Sequence, residues 1–115
     1  MVLVIFEVTV KEGCMDDYLA AASKLKEELA RANGFIRAER FSSLAAGRKL
    51  LSLSEWDNEN AVTEWRNQYE HRQEQRQGRD SLFESYTITV ASALRTYTDK
   101  ERHEAPADSD VLYIQ

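Results

Sequence analysis

The sequence predicts an α+β domain built on one four-stranded antiparallel sheet. Segments rich in β-branched residues alternate with segments of helical period, and two of the strand-like segments are separated only by a short turn. The resulting order is β-α-β-β-α-β, which is the ferredoxin-like arrangement. In this arrangement both helices cover the same face of the sheet, so the opposite face needs another cover.

The first half of the predicted domain is a strand followed by a helix. The segment Val2–Val10 is rich in β-branched residues and ends at a glycine-containing turn over residues 11–13, which is typical of a strand. From Met15 onward, apolar residues recur at helical spacing opposite charged ones. Asn33 and Gly34 then supply the left-handed stop that commonly ends a helix.

A hairpin, a second helix and a last strand form the second half. Residues 35–44 and Lys49–Trp56 are predicted strands joined by a tight turn. The dipeptide Asp57-Asn58 offers an N-cap for a second helix, and the residues past Tyr69 are predicted to form a kinked or separate last segment that ends at Gly78. Residues 83–97 follow as a long last strand with a strongly β-prone centre.

The chain divides into a domain of residues 1–97 and a tail of residues 98–115. The tail is polar as far as Asp110 and becomes apolar and β-prone over residues 111–114. This terminal patch predicts that the tail docks on a partner subunit. A frayed end is the alternative, because chain termini are commonly disordered.

Charge and cysteine content exclude several function classes. A chain of 115 residues with a net charge of −5 has no concentrated basic face for nucleic acid. No apolar run approaches the roughly 18–20 residues that span a membrane. The single cysteine, Cys14, cannot form a disulfide within the chain, and no secretion signal is visible, so we expect a cytoplasmic protein.

The modest size of the expected core predicts a homodimer. A chain of this length buries only about two-thirds of the surface that its unfolded form exposes, so it gains from pairing with a second copy. The predicted sheet also has apolar residues on the face that the helices leave open. Two copies packed sheet to sheet would cover both faces and close an α+β barrel.

The side chains best suited to proton transfer and hydrogen bonding follow the predicted hairpin in the sequence. His71, one of two histidines, can exchange a proton near neutral pH. Gln75 comes one helical turn later, on the same helix face. For His71, a pocket role and a surface or capping position at a helix kink are both open. No Cys/His spacing suits zinc and no glycine-rich loop suits a phosphate, so we expect neither a metal nor a cofactor.

Two tryptophans precede His71 and Gln75 in the sequence, and an arginine and two further aromatic residues follow them. Trp56 ends a strand, and Trp65 lies within the apolar stripe of the second helix. Each indole could line a pocket or pack in the core. Arg79, Phe83 and Tyr86 mark the entry to the last strand. Arg79 could bind a ligand or pin its loop by pairing with a neighbouring acid.

The same residues carry a resemblance to a known family. From Val2 to about Tyr97 the chain resembles the antibiotic biosynthesis monooxygenase family, whose members are small dimeric α+β barrels. The matching positions are Leu50-Leu51-Ser52-Leu53-Ser54-Glu55-Trp56, Ala61, Trp65, His71, Gln75, Gly78-Arg79, Phe83, Tyr86, Arg95 and Tyr97. The resemblance specifies the fold better than the reaction.

The resemblance implies a cofactor-independent monooxygenase that oxidises a small phenol, quinol or anthrone-like molecule with O2. In such an enzyme His71 would be the general base. The side chains in contact with the substrate would be Trp56, Trp65, Gln75, Arg79, Phe83 and Tyr86. Two alternatives stay open: a non-catalytic ligand-binding or structural dimer, and a haem-binding or haem-degrading protein.

The haem-degrading branch of the family uses an Asn on the first strand, a Trp on the second helix and a His as the iron ligand. Trp65 and His71 match these residues in kind. The first strand, however, offers Phe6, Glu7 and Val8 and no Asn. The cofactor-free branch therefore fits the chain better.

Overall fold

The computed structural model has the predicted order of elements. It describes residues 1–75 and 79–109, and among them the side chains of residues 1–69 and 81–108. The strands are β1 (Val2–Val10), β2 (Phe35–Ser42), β3 (Lys49–Trp56) and β4 (Phe83–Ser92), and the helices are α1 (Met15–Leu29) and α2 (Glu59–Gln75). Short 3₁₀ turns cover Arg79–Leu82 and Ala107–Ser109. The predicted helix end at Gly78 and the apolar patch at 111–114 lie outside the described residues.

The four strands form one antiparallel sheet in the order β2-β3-β1-β4, as the ferredoxin-like prediction requires. β1 is central: Phe6 lies opposite Ser52 of β3 on one side and opposite Ile88 of β4 on the other. Because side chains alternate along a strand, residues that lie opposite one another share a face of the sheet. The register therefore assigns each paired strand residue to one of two faces.

Both helices cover the same face, as predicted. Tyr18 of α1 packs with Val8 of β1 in one buried cluster. The ring centroid of Trp65 on α2 lies 6.1 Å from that of Trp56, which is opposite Val2. Val2 and Val8 are an even number of residues apart on β1, so they point to the same side. We call this side the helix-side face and the other the helix-free face.

The buried core is divided between the two ends of the helix-side face. At one end Val8 and Val10 pack against Tyr18 and are almost completely buried. At the other end Trp56 is 1% exposed, and its Nε1 donates a hydrogen bond of 2.9 Å to the hydroxyl of Ser54. In the described part of the chain the core therefore consists of two packed regions, one at each end of the helix-side face.

The helix ends match the predicted caps in part. The side-chain oxygen of Asn58 accepts the backbone N–H of Ala61 at 2.9 Å, which confirms Asn58 as the N-cap of α2. α1 ends at Leu29, before the predicted stop, and Gly34 adopts its positive φ of 77° directly before β2. Within the described residues, neither helix is long and apolar enough to cross a membrane.

β4 is shorter than predicted. The sequence favours a strand over residues 83–97, but β4 ends at Ser92. Ser92 lies opposite Val2, the first residue of β1, so the residues beyond it have no neighbouring strand with which to pair. Ala93 still donates its N–H to the carbonyl of Met1 at 3.2 Å, and the chain then leaves the sheet.

The hairpin turn between β2 and β3 is anchored to β4. β2 ends at Ser42, two residues before the predicted end, and the hydroxyl of Ser43 accepts backbone N–H groups of the turn. Arg48 Nη1 donates to the carbonyl of Val10 at 3.0 Å and to Glu84 Oε2 at 2.8 Å. One guanidinium thus ties the turn to the end of β1 and the start of β4.

The described part of the tail has local order. The hydroxyl of Thr98 accepts the backbone N–H groups of Lys100 at 3.1 Å and Glu101 at 2.8 Å. Arg102 Nη1 returns a hydrogen bond of 3.0 Å to the carbonyl of Thr98. Residues 98–108 therefore form local turns held together by their own hydrogen bonds, and most of their side chains are exposed.

Replacing Gly34 with alanine is expected to destabilise the fold by about 2–4 kcal/mol. A left-handed backbone costs a residue with a Cβ about 1–2 kcal/mol, and Gly34 has a φ of 77°. The new Cβ would also lie 2.5 Å from the Cβ of Ala61 on α2. Urea unfolding monitored by circular dichroism measures the loss.

Gly13→Ala is the matched control for this variant. Gly13 has a φ of 81°, but no atom lies within 4 Å of the position that its Cβ would take. The free energy of unfolding of Gly13→Ala should therefore fall only by the cost of the left-handed backbone, about 1–2 kcal/mol. Equal losses in the two variants would contradict the importance of the close approach between Gly34 and Ala61.

Candidate functional site

Two aromatic clusters lie on the helix-side face. The first aromatic cluster comprises Phe6, Tyr18, Phe83 and Tyr86. Its contacting rings have centroids 5.7–6.1 Å apart. The second aromatic cluster comprises Phe35, Trp56, Trp65 and Tyr69. Its contacting rings have centroids 5.5–6.3 Å apart. Tilted and edge-on rings at these distances form stable packing.

The edge strand β4 exposes a row of apolar side chains on this same face. Tyr86, Ile88 and Val90 are 58%, 55% and 50% exposed. Ile88 and Val90 lie opposite Phe6 and Val4 of β1, so all five side chains share the helix-side face. We call the set Val4, Phe6, Tyr86, Ile88 and Val90 the apolar floor. Exposed apolar side chains grouped in this way are typical of a surface that binds another molecule.

The helix that carries the predicted catalytic residue precedes β4 in the chain. α2 is one continuous helix, so His71 and Gln75 lie on the same element, four residues apart. Arg79 opens the 3₁₀ turn that runs into β4, and Phe83, the first residue of β4, belongs to the first aromatic cluster. The side chains of His71, Gln75 and Arg79 lie outside the described part of the chain.

The two tryptophans have different environments. Trp56 is 1% exposed and is enclosed by Phe35 at 5.5 Å and Trp65 at 6.1 Å between ring centroids. Trp65 is half-buried, with its ring 6.3 Å from that of Tyr69. Of the two positions that the sequence left open for Trp56, the structure shows packing beneath the second helix. Trp65 is the indole that retains exposed surface.

The structure adds residues that the sequence analysis did not assign to the site. Phe6, Tyr18, Ile88 and Val90 all belong to the first aromatic cluster or the apolar floor. A partial signal was present, because Tyr86, Ile88 and Val90 alternate along one strand and so point the same way. The pairing of β4 with β1, which brings Phe6 beside them, is a contact between distant segments and has no local signal.

The helix-free face has a different character. Its central residues on β1 and β3 are apolar: Leu3, Ile5, Leu51 and Leu53. Two ion pairs lie on it, with Arg37 Nη2 2.9 Å from Glu55 Oε1 and Lys49 Nζ 3.8 Å from Glu7 Oε1, whereas Glu39, opposite Leu53, has no such partner among the described residues. Nowhere in the described part of the chain do three His, Cys, Asp or Glu side chains meet in a group that could hold a metal ion.

The fold and the apolar floor define a ferredoxin-like α+β protein with an open ring-lined surface beside its helices. The family model of the antibiotic biosynthesis monooxygenases matches residues 1–77. The chain therefore belongs to the antibiotic biosynthesis monooxygenase family, as its sequence resemblance predicts.

A fungal relative is similar over most of this chain. The "Jasmonate monooxygenase ABM" of Pyricularia oryzae is 36% identical over 101 residues, which cover 88% of this chain and 47% of the relative. The chain thus spans about half the length of the curated relative that it matches.

Solved structures share the fold. SnoaB, a cofactor-independent oxygenase from Streptomyces nogalater, has a TM-score of 0.68 and 16% identity, covering 83% of this chain and 94% of that one. The heme-degrader MhuD from Mycobacterium tuberculosis has a TM-score of 0.69 and 10% identity, covering 85% of this chain and 100% of that one. At these identities the likeness shows the fold alone.

Proposed function

We propose that this protein is a cofactor-independent monooxygenase that oxidises a small, ring-bearing apolar molecule with O2. The observation that carries the proposal is the apolar floor, where Tyr86, Ile88 and Val90 lie open beside Phe6. Apolar side chains clustered in the open are typical of a binding surface. Membership of the family, and a relative that is named as a monooxygenase, support the type of reaction.

The expected substrates are phenols, quinols and anthrone-like molecules. In an anthrone-type reaction a CH2 group becomes C=O, and O2 supplies one oxygen atom to the product and the other to water. The substrate provides all the electrons, so no external reductant is consumed.

The fungal relative is named for jasmonate, an alicyclic keto acid. Hydroxylating a saturated carbon of such an acid would need two electrons from a reductant, so assays with and without NADPH separate the two chemistries.

In the proposed reaction His71 removes a proton from the bound substrate, and the resulting anion reacts with O2. A positioned general base contributes about 10²–10⁴-fold to the rate. Gln75 and Arg79, which follow on α2 and at the turn into β4, would donate hydrogen bonds to the anion. Proton removal and stabilisation of the anion would thus both take place at the end of α2 and at the turn into β4, the strand that supplies three residues of the apolar floor.

Aromatic side chains would hold the body of the substrate. Phe83 and Tyr86 belong to the first aromatic cluster, and Trp65 adds an indole from α2. Trp56, which is almost fully buried, would act by fixing Trp65 from beneath. Flat walls of this kind suit planar or compact rings.

Replacing His71 with alanine is expected to lower the rate of O2 consumption by about 10²–10⁴-fold, because the proton acceptor is lost. An oxygen electrode measures the rate on anthrones, quinols, catechols and jasmonic acid. His103→Ala is the matched control, since His103 is the second histidine and is exposed in the tail. Its rate should equal that of the unmodified protein.

Each other outcome of this experiment counts against part of the proposal. Unchanged O2 consumption in His71→Ala would remove the general-base assignment. If the unmodified protein consumes no O2 with any substrate, with or without NADPH, the oxygenase proposal fails. A haemin titration then separates a haem-binding protein, which shifts the Soret band of haemin, from a non-catalytic dimer, which leaves that band unchanged.

We further propose that two copies form a homodimer through their helix-free faces. Leu3, Ile5, Leu51 and Leu53 give this face an apolar centre. Two ion pairs are already formed on this face, Arg37 with Glu55 and Lys49 with Glu7, and Glu39 lies exposed on the edge strand β2. Paired charges can be buried at much lower cost than single ones. A second copy would therefore cover the apolar centre of the face while the two ion pairs stay intact.

Leu53→Glu is expected to convert the proposed dimer to monomer, because it places two carboxylates at the centre of an apolar interface. Sedimentation velocity measures the change. Ala20→Glu, at an exposed position on α1, is the control and should remain dimeric. A protein that is monomeric without any substitution would contradict the proposal.

The tail of residues 98–115 is proposed to lie against the partner subunit. The sequence of the tail becomes apolar and β-prone over residues 111–114. Covering such side chains is favourable.

Truncation after Tyr97 is expected to raise the dissociation constant of the dimer by roughly tenfold or more, equivalent to about 1.4 kcal/mol. Analytical ultracentrifugation over a dilution series measures the constant. If the truncated chain dissociates at the same concentration as the full chain, the tail does not contribute to the interface.

A further inference from the structure

The helix-side face changes from apolar to cationic along one row of paired residues. Ile88 of β4 lies opposite Phe6 of β1, Phe6 lies opposite Ser52 of β3, and Ser52 lies opposite Arg40 of β2. Neighbouring strands are about 4.8 Å apart, so the row spans about 14 Å from Ile88 to Arg40. It therefore begins in the apolar floor, passes a hydroxyl and ends at a guanidinium.

The guanidinium of Arg40 is directed toward the first aromatic cluster. Its Cζ lies 5.9 Å from the ring centroid of Tyr18, which is 7% exposed on α1. The Tyr18 ring in turn lies 5.7 Å from that of Phe83, which contacts Phe6 and Tyr86. Attraction between a cation and an aromatic face holds charge at such distances. Arg40 is thus held against the helix-side face by a side chain of the core.

Arg40 differs from the other two arginines of the hairpin in lacking a carboxylate partner. Arg37 pairs with Glu55 at 2.9 Å, and Arg48 pairs with Glu84 at 2.8 Å. Among the described residues, no Asp or Glu lies within 4.0 Å of Arg40. A guanidinium has five N–H donors in a planar fork that matches a carboxylate in two-point geometry. Arg40 as a whole is an exposed residue.

We propose that Arg40, with the hydroxyl of Ser52, binds the carboxylate of an acidic substrate whose apolar body lies on the floor at Phe6 and Ile88. The ligand class is a small monocarboxylic acid with a ring or short apolar chain that reaches about 14 Å or less. The inference rests on the proposed function, because it names the substrate class of the same site. Arg40 sets the orientation of the acid and takes no part in the proton transfer.

The test compares acids with their methyl esters, which keep the apolar body and lose the charge. Jasmonic acid with methyl jasmonate, and 2-naphthoic acid with methyl 2-naphthoate, are the two matched pairs of probes. Isothermal titration calorimetry under anaerobic conditions measures binding without turnover. Each acid is expected to bind the full chain about 10- to 100-fold more tightly than its ester.

Arg40→Leu is expected to remove that preference by weakening acid binding about 10- to 100-fold while leaving ester binding unchanged. Arg40→Lys, which keeps the charge but not the planar fork, should retain part of the preference. Arg31→Leu, at an exposed position after α1, is the control for a general loss of positive charge. Circular dichroism and the melting temperature confirm that each variant is folded.

Three results would overturn this inference: equal binding of acid and ester, an acid preference that survives in Arg40→Leu, or no acid binding at millimolar concentration. Failure of the oxygenase proposal is distinguishable from these results. A chain that binds acids through Arg40 but consumes no O2 keeps the carboxylate site and loses the reaction. A chain that consumes O2 with uncharged substrates and shows no preference for acids keeps the reaction and loses the site.

Discussion

Both surfaces of this protein depend on the pairing of β1 with a strand on either side. β1 lies between β3 and β4, and its side chains alternate between the two faces of the sheet. Val4 and Phe6 contribute to the apolar floor, whereas Leu3 and Ile5 form the centre of the helix-free face. A shift of one residue in register would exchange these sets. The same hydrogen bonds therefore fix the site and the surface that we propose for dimerisation.

The fold is secured at its ends, and this allows part of the helix-side face to stay open. The packing of Tyr18 over Val8 holds α1 at one end of the sheet, and the packing of Trp65 over Trp56 holds α2 at the other. Arg48 adds a clamp between the hairpin turn and β4. These contacts bury the most enclosed side chains in the described part of the protein. The outer strand β4 can therefore expose apolar side chains without being the main source of stability. Surfaces used for binding are commonly less stable than the core that positions them.

Local patterns in the sequence predicted much of the fold and less of the site. The bounds of β1 and β3 were predicted correctly because each is a compact β-prone run between turn residues, and the cap at Asn58 was predicted because capping is a local interaction. The end of β4 was predicted wrongly, because Ser92 is where its neighbour β1 begins, and no local signal reports that. For the same reason Arg40 was not recognised: its relation to Phe6 exists only through the register of three strands. The role of His71 stays a prediction.

The two faces of the sheet differ in whether their cationic side chains have carboxylate partners, and this difference suits them to different partners. On the helix-free face Arg37 and Lys49 have carboxylate partners in the same chain, and such pairs can enter a dry interface without a further counter-ion. On the helix-side face Arg40 rests on an aromatic ring, which attracts a cation but leaves its N–H donors to other partners. A face with an apolar centre and ion pairs formed within the chain is suited to a copy of the same chain, because the copy brings a matching apolar centre. A face that leaves one guanidinium beside an apolar floor is suited to a molecule that is apolar along its length and anionic at one end.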